Sequence, residues 1–406
     1  MLKHIFIVVS LIFFCVCKGY TQPTFNNERA VSSAQQQLKD IEPGQERIQL
    51  LLKLSRWFVL KELDSNAIKQ GINYTDQAIN QSVKLNNKQT EGEAYLLRSH
   101  LAQIQHDYQK GISCANSAIA ISGPLKNYDM AGEAYVFLWS NNALNGMSIA
   151  ERIPILTKAQ NAFHTANNKR READCLGALA DLYQLTSQAG LSLNCLNKAL
   201  ELYQKVHYPD LQSIYDLLGV SYLMLGDYKS AIQNGLMAVK TAEDNGDTSL
   251  SICTYYNRLG VSYSKLNDLI HARTYFEKSL AVAVKYKDVD GIFQLSVNLT
   301  YLMLSEHKAE EALRFITEMM RKYPGIRKGR EVALACCMIT TYKRLHRINE
   351  AIPYVLLVEK TITDNKEDFL AIANAYDCLV PFYIETGNFE KANAYTKKLK
   401  DFCNSI

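Results

Sequence analysis

Hydrophobic positions along this chain follow two nested periods. Locally, apolar residues return at helical spacing. Over longer range the whole pattern repeats about every 41 residues. The strings Leu218-Gly219-Val220-Ser221-Tyr222 and Leu259-Gly260-Val261-Ser262-Tyr263 are identical and lie 41 residues apart. Nine residues after each Tyr comes an Ala, Ala231 and Ala272, and between them stand Gly226-Asp227-Tyr228 and Asn267-Asp268-Leu269. The Leu position extends outward to Leu54, Leu97, Leu138 and Leu179 on one side and to Leu299, Met338 and Leu379 on the other. Matching alanines follow at Ala78, Ala199, Ala312, Ala351 and Ala392. Each copy therefore predicts a first helix carrying Leu and Tyr, a tight turn, and a second helix carrying Ala. A small residue beside the Leu lets the two helices approach closely, and Leu and Tyr fill the space between them. Gly in the turn supplies a left-handed end to the first helix. A generic helical bundle does not account for two identical pentapeptides inside nine evenly spaced apolar positions.

These residues resemble the tetratricopeptide repeat family, whose pattern is Leu-Gly-x-x-Tyr, a Gly-containing turn, then small and aromatic residues at helical spacing. The resemblance covers residues 46–406. It implies an all-α fold, an α-α superhelix (TPR solenoid) of about nine helical hairpins with a period near 41 residues, against the 34 usual for the family. The longer repeat implies longer helices or added residues between hairpins. The family binds peptides and protein segments on a concave face lined by the first helices. Projected from the Leu register, groove positions here are Asp216, Leu217, Val220, Asn257, Arg258, Val261 and Lys265. Neighbouring copies add Asp181 with Gln184, Asn298 with Tyr301, and Lys343 with Arg344. Of these, the partner-binding set is Asp216, Asn257, Arg258, Asn298, Tyr301, Lys343 and Arg344. Family members that grip a terminal carboxylate place Lys at a position where this chain has Asp216 and Asn257, so that clamp is not carried over. The architecture is also similar to the extracytoplasmic repeat region of bacterial sensor histidine kinases, but this sequence stops at Ile406 without a membrane helix or a kinase core.

The first residues change the picture. Lys3 and His4 precede an apolar run from Ile5 to Val16, and the chain turns polar at Lys18. That layout predicts a signal peptide over 1–19, cleaved after Gly19, and an exported, periplasmic or extracellular protein. A lipoprotein or an uncleaved anchor are the alternatives. Residues 20–45, with Gln35-Gln36-Gln37 and Pro43-Gly44, read as a polar lead-in to the array. Scarcity of helix breakers, 8 Pro and 19 Gly in 406 residues, agrees with a helical chain. A formal net charge of +4 leaves no electrostatic footprint for nucleic acid.

Candidate chemistry is sparse. Eight cysteines remain beyond the signal, none in C-x-x-C, and they read as buried small apolar residues. The eight histidines form no metal-ligand spacing, and no phosphate loop or nucleophile elbow is present. Asn73, Asn80 and Asn298 begin N-x-[ST] triplets that read as chance. The expectation is a scaffold with no catalytic residues, cofactor or metal, binding a protein or peptide on its concave face. The alternative is a sensory module of a histidine-kinase-type signalling system, truncated or acting through a partner. Leu399 and Phe402 in the last predicted helix suggest that a partner or further element docks at the C-terminal hairpin.

Overall fold

The computed structural model describes residues 25–59, 64–327, 330–364 and 369–404. Positions 1–19, read as a signal peptide, lie outside the described residues. Those described form nineteen α-helices and one 3₁₀ turn, Pro324–Arg327, with no strand among them. A leading helix α1 (Glu28–Asp40) is followed by nine pairs. Their first (A) helices are α2 (Gln45–Val59), α4 (Lys88–Ile104), α6 (Tyr128–Leu144), α8 (Lys169–Leu185), α10 (Gln212–Met224), α12 (Ser251–Lys265), α14 (Val289–Ser305), α16 (Glu331–Arg344) and α18 (Phe369–Glu385). The second (B) helices are α3 (Ser65–Lys84), α5 (Tyr108–Leu125), α7 (Ile149–Thr165), α9 (Ala189–Lys205), α11 (Tyr228–Asp244), α13 (Leu269–Lys285), α15 (Ala309–Lys322), α17 (Ile348–Asp364) and α19 (Phe389–Asn404). All nine residues of the Leu register fall on A helices, and the alanines at 78, 199, 312, 351 and 392 on B helices. The fold is the all-α hairpin solenoid that the periodicity predicts.

The turns explain much of the sequence between helices. A residue with left-handed backbone closes the A helices from α4 onward: His106 (φ 61°), Gly226 (φ 77°), Asn267 (φ 64°), His307 (φ 61°), His346 (φ 57°) and Gly387 (φ 76°) are examples. The next residue is often an N-cap for the B helix. Asp107, Asp227 and Asp268 each accept a backbone N–H three residues on, which satisfies one of the donors that a helix start leaves open.

The chain divides into two compact units, residues 1–217 and 218–406. In the first, α1 buries Val31, Ala34 and Leu38 in the same cluster as Leu51, Leu54 and Phe58 of α2. The segment read as a polar lead-in thus carries a helix with one apolar stripe. Three A helices of this unit, α4, α6 and α8, are enclosed on most of their circumference, whereas α2 buries seven of 15 residues. In α4, α6 and α8 alike, 11 of 17 residues are buried, whereas B helices α5 and α7 bury five of 18 and four of 17. The A helices therefore form an inner layer and the B helices an outer one.

Three N-cap asparagines lock successive A helices of this unit together. Asn87, Asn127 and Asn168 cap α4, α6 and α8 through Oδ1. Their Nδ2 groups donate backward to Gln45, Gln89 and Asp129 on the preceding A helix, at 2.5, 3.1 and 2.8 Å. Between α6 and α8 an ion pair reinforces the ladder. Arg171 pairs with both Glu133 oxygens at 2.6 and 2.7 Å and with Asp174 at 2.8 Å, and Tyr203 of α9 donates to Asp174. Both partners of the Arg171–Glu133 pair are nearly excluded from solvent, and the bidentate geometry meets most of their hydrogen-bonding capacity.

The second unit packs on the same plan but leaves its A helices more open: α12 buries seven of 15 residues and α14 eight of 17. Gly260 lies against Phe276 of α13, and a Cβ there would sit 2.7 Å from that ring. Gly219 is less confined, with a Cβ reaching only to 3.2 Å from the Ala231 carbonyl. Three hairpins carry a Tyr on the A helix and another 12 residues later on the B helix. Tyr263–Tyr275, Tyr342–Tyr354 and Tyr383–Tyr395 place their rings 5.6, 5.9 and 5.9 Å apart.

Candidate functional site

Six of the seven predicted groove residues lie in the second unit, on α12, α14 and α16. On α14, the more accessible residues Gln294, Asn298, Tyr301 and Ser305 follow one another at helical spacing and form one stripe. On α12 the corresponding stripe holds Asn257, Val261 and Lys265. The two stripes meet. Asn298 Nδ2 donates to Asn257 Oδ1 at 2.8 Å, and Gln294 Nε2 donates to Asn298 Oδ1 at 3.2 Å. A row of three carboxamides thus crosses two A helices. Each amide carries more hydrogen-bonding capacity than these bonds use, and both asparagines are half-buried. Arg258 adds a half-buried cation beside Asn257.

The remaining predicted residues also bridge consecutive A helices. Tyr301 is 39% exposed over the residue as a whole, yet its hydroxyl is shielded. Burial first, and then the neighbouring Cys337, push its phenol well above the ordinary value, while a hydrogen bond with Thr340 of α16 works the other way. Lys343 forms an ion pair with Glu385 of α18 at 2.9 Å and keeps little exposure of its own. Arg344 is exposed on the last turn of α16. Gln294, Thr340 and Glu385 belong to this surface and were not found from sequence. The signal for Gln294 was its place one helical turn before Asn298; Thr340 and Glu385 stand two residues after Met338 and six after Leu379, the same offsets that Val261 and Lys265 hold from Leu259.

Asp216 stands apart. It belongs to the first unit and is 6% exposed, so its carboxylate offers little surface to a partner. Asp181 is likewise buried, and Gln184 donates to the Leu217 carbonyl at 2.8 Å. Projection from the register places Asp181 and Asp216 on the groove face, but in α8 and α10 those positions fall on the buried side of the helix.

Residues 171–244 and 210–285 match the family model of the tetratricopeptide repeat. The chain carries tetratricopeptide repeats. The matched span runs from α8 through α13 and includes both identical pentapeptides. Among the curated proteins, none matches. Several solved structures share the fold. The apo form of RapI aligns over 88% of this chain and 98% of its own, with a TM-score of 0.66 and 14% identity. A Rap protein complexed with competence and sporulation factor aligns over 92% and 98%, with a TM-score of 0.53 and 14% identity. A signal transduction ATPase with numerous domains from Pyrococcus horikoshii, which has a tetratricopeptide repeat sensor, aligns over 88% of this chain and 52% of its own, with a TM-score of 0.56 and 14% identity.

Among the described residues, no three His, Cys, Asp or Glu side chains converge as a metal site. No described helix is long and apolar enough to cross a membrane. The described cysteines are all free thiols, five of them buried.

Proposed function

We propose that this chain is a non-catalytic, exported scaffold that binds a protein or peptide segment on the A-helix face of its second unit. The observation that carries the reading is the carboxamide row Gln294–Asn298–Asn257 flanked by Arg258. Carboxamides both donate and accept, so they can pair with the backbone of a segment laid across the helices, while Arg258 and Lys265 favour acidic side chains. The neighbour solved in complex with competence and sporulation factor supports a fold suited to holding a partner. Export rests on the charged and apolar start of the sequence.

The test begins with full-length chain used to capture its partner from extracts of its own source. Affinity is then compared with that of an Arg258→Ala/Asn298→Ala double variant. The expected result is a loss of tenfold or more, corresponding to at least about 1.4 kcal/mol, with an unchanged thermal melt. Equal affinity at an equal melt means that this face is not the binding surface. Tyr301→Ala is a poorer probe than the register alone suggests, because it also removes packing against α16. Cell fractionation tests the export arm separately. A second reading, a sensory module of a signalling system, is favoured by the neighbour whose repeat array is a sensor; it predicts that the captured partner is itself a signalling protein.

A further inference from the structure

Consecutive A helices α16 and α18 bring two thiols together. Cys336 and Cys378 are 42 residues apart in sequence, one more than the step from Met338 to Leu379, and meet across neighbouring A helices. Cys378 Sγ lies 3.8 Å from the Cys336 carbonyl oxygen, and the two thiols hydrogen-bond each other. Cys336 is buried, whereas Cys378 is only partly so and is open to a small reagent. The adjacent Cys337 is engaged elsewhere: its thiol hydrogen-bonds Thr300 and Thr341, and it is fully buried.

We infer that Cys336 and Cys378 are a modification site, an oxidisable pair that closes into a disulfide joining the A helices of the last two hairpins. With a small-molecule disulfide as oxidant, the Cys378 thiolate attacks one of its sulfurs and releases one small thiol, leaving a mixed disulfide on Cys378. The Cys336 thiolate then attacks Cys378 Sγ and releases the second. Two protein thiols are oxidised, one disulfide is reduced to two thiols, and the two protons pass to the leaving thiolates. The hydrogen bond with Cys378 and, after it, burial hold the Cys336 thiol in the protonated form, so closure is the slow step. The closed form fixes α16 against α18. Tyr301 of α14 faces the same thiols, so the bond also braces one edge of the A-helix face described above.

Full-length chain is incubated with oxidised glutathione without denaturant, blocked with a thiol reagent, and weighed intact. The expected product has lost about 2 Da, with two fewer thiols to block, and melts several degrees higher until a reductant is added. Cys337→Ser is expected to close in the same way. Cys336→Ser is expected to stop at a glutathione adduct on Cys378. A wild-type chain that keeps both thiols, that stops at the adduct, or that needs Cys337 rather than Cys336 for closure overturns the assignment. Melting curves of the reduced variants identify any that fail to fold. For those, Cys336→Ala replaces the serine, and the same adduct is expected.

Discussion

His100 illustrates how one buried residue sets a pH response. It is fully buried on α4 beside Phe137, with ring centroids 5.6 Å apart, and burial lowers its pKa to about 4. In the unfolded chain it takes up a proton near its ordinary value of 6.5. Between those two values the unfolded state binds the extra proton, so stability falls as the pH drops through that window and levels off below it. The shift corresponds to about 3 kcal/mol at most. Urea unfolding measured from pH 7 to 4 is expected to show that slope, and His100→Gln to flatten it; parallel curves for the two proteins would remove His100 as the cause. Four of the eight histidines looked scattered in the sequence because the role they share is backbone conformation. His106, His207, His307 and His346 all sit at positive φ, where histidine is over-represented among non-glycine residues. Lining up His106 and His346 with Gly226 and Gly387 would have revealed the role. At the candidate site, the register alone put Asn257 and Asn298 one repeat apart, and they touch. It could not show that Asp216 is enclosed, because enclosure depends on the neighbouring A helices.

At the scale of the element, the clarity of the sequence signal tracks how each helix is buried. The copies at Leu218 and Leu259 stand out because an open A helix alternates buried and exposed residues, which leaves a stripe. The copies at Leu54, Leu97 and Leu138 drift from the pattern, and α6 shows why. It is buried at Val136 and Phe137, at Trp139 through Asn142, and at four positions in its first half. With burial on every side, polar Glu133, Ser140, Asn141 and Asn142 included, there is little apolar periodicity to read. The helix crossings give a graded prediction. Gly260→Leu is expected to destabilise the second unit by roughly 1–3 kcal/mol through overpacking against Phe276, and Gly219→Leu by less. Thermal denaturation of both variants checks the order, and a reversed order would argue against the crossing geometry. For the asparagine ladder, Asn127→Ala removes both a helix cap and the bond to Gln89. The expected cost is about 1–2 kcal/mol in urea denaturation. Asn127→Asp keeps the cap and loses only the donor, so it should fall between wild type and alanine.

At the scale of the whole molecule, the fold was legible because a solenoid writes its architecture many times over. Nine copies of one packing problem leave a repeated answer even where individual copies are degenerate. Identity of 14% to structures of the same fold shows how little of that answer needs particular residues. The partner is harder to read for the same reason: the A-helix face is freed from packing, so repeat geometry does not dictate its residues. If the scaffold reading holds, the paired substitutions at Arg258 and Asn298 separate binding from folding.

The difference in enclosure between the A helices has a consequence for how the molecule breathes. A helix buried on most of its circumference can expose its amides only when the layers around it come apart, whereas a half-open helix can release them through smaller excursions. Deuterium uptake in native buffer should therefore be slowest in α4, α6 and α8 and earlier in α12 and α14. The surface proposed to receive a partner would then be drawn from the less protected part of the chain. A bound segment should register there first, as a slowing of exchange along α12 and α14.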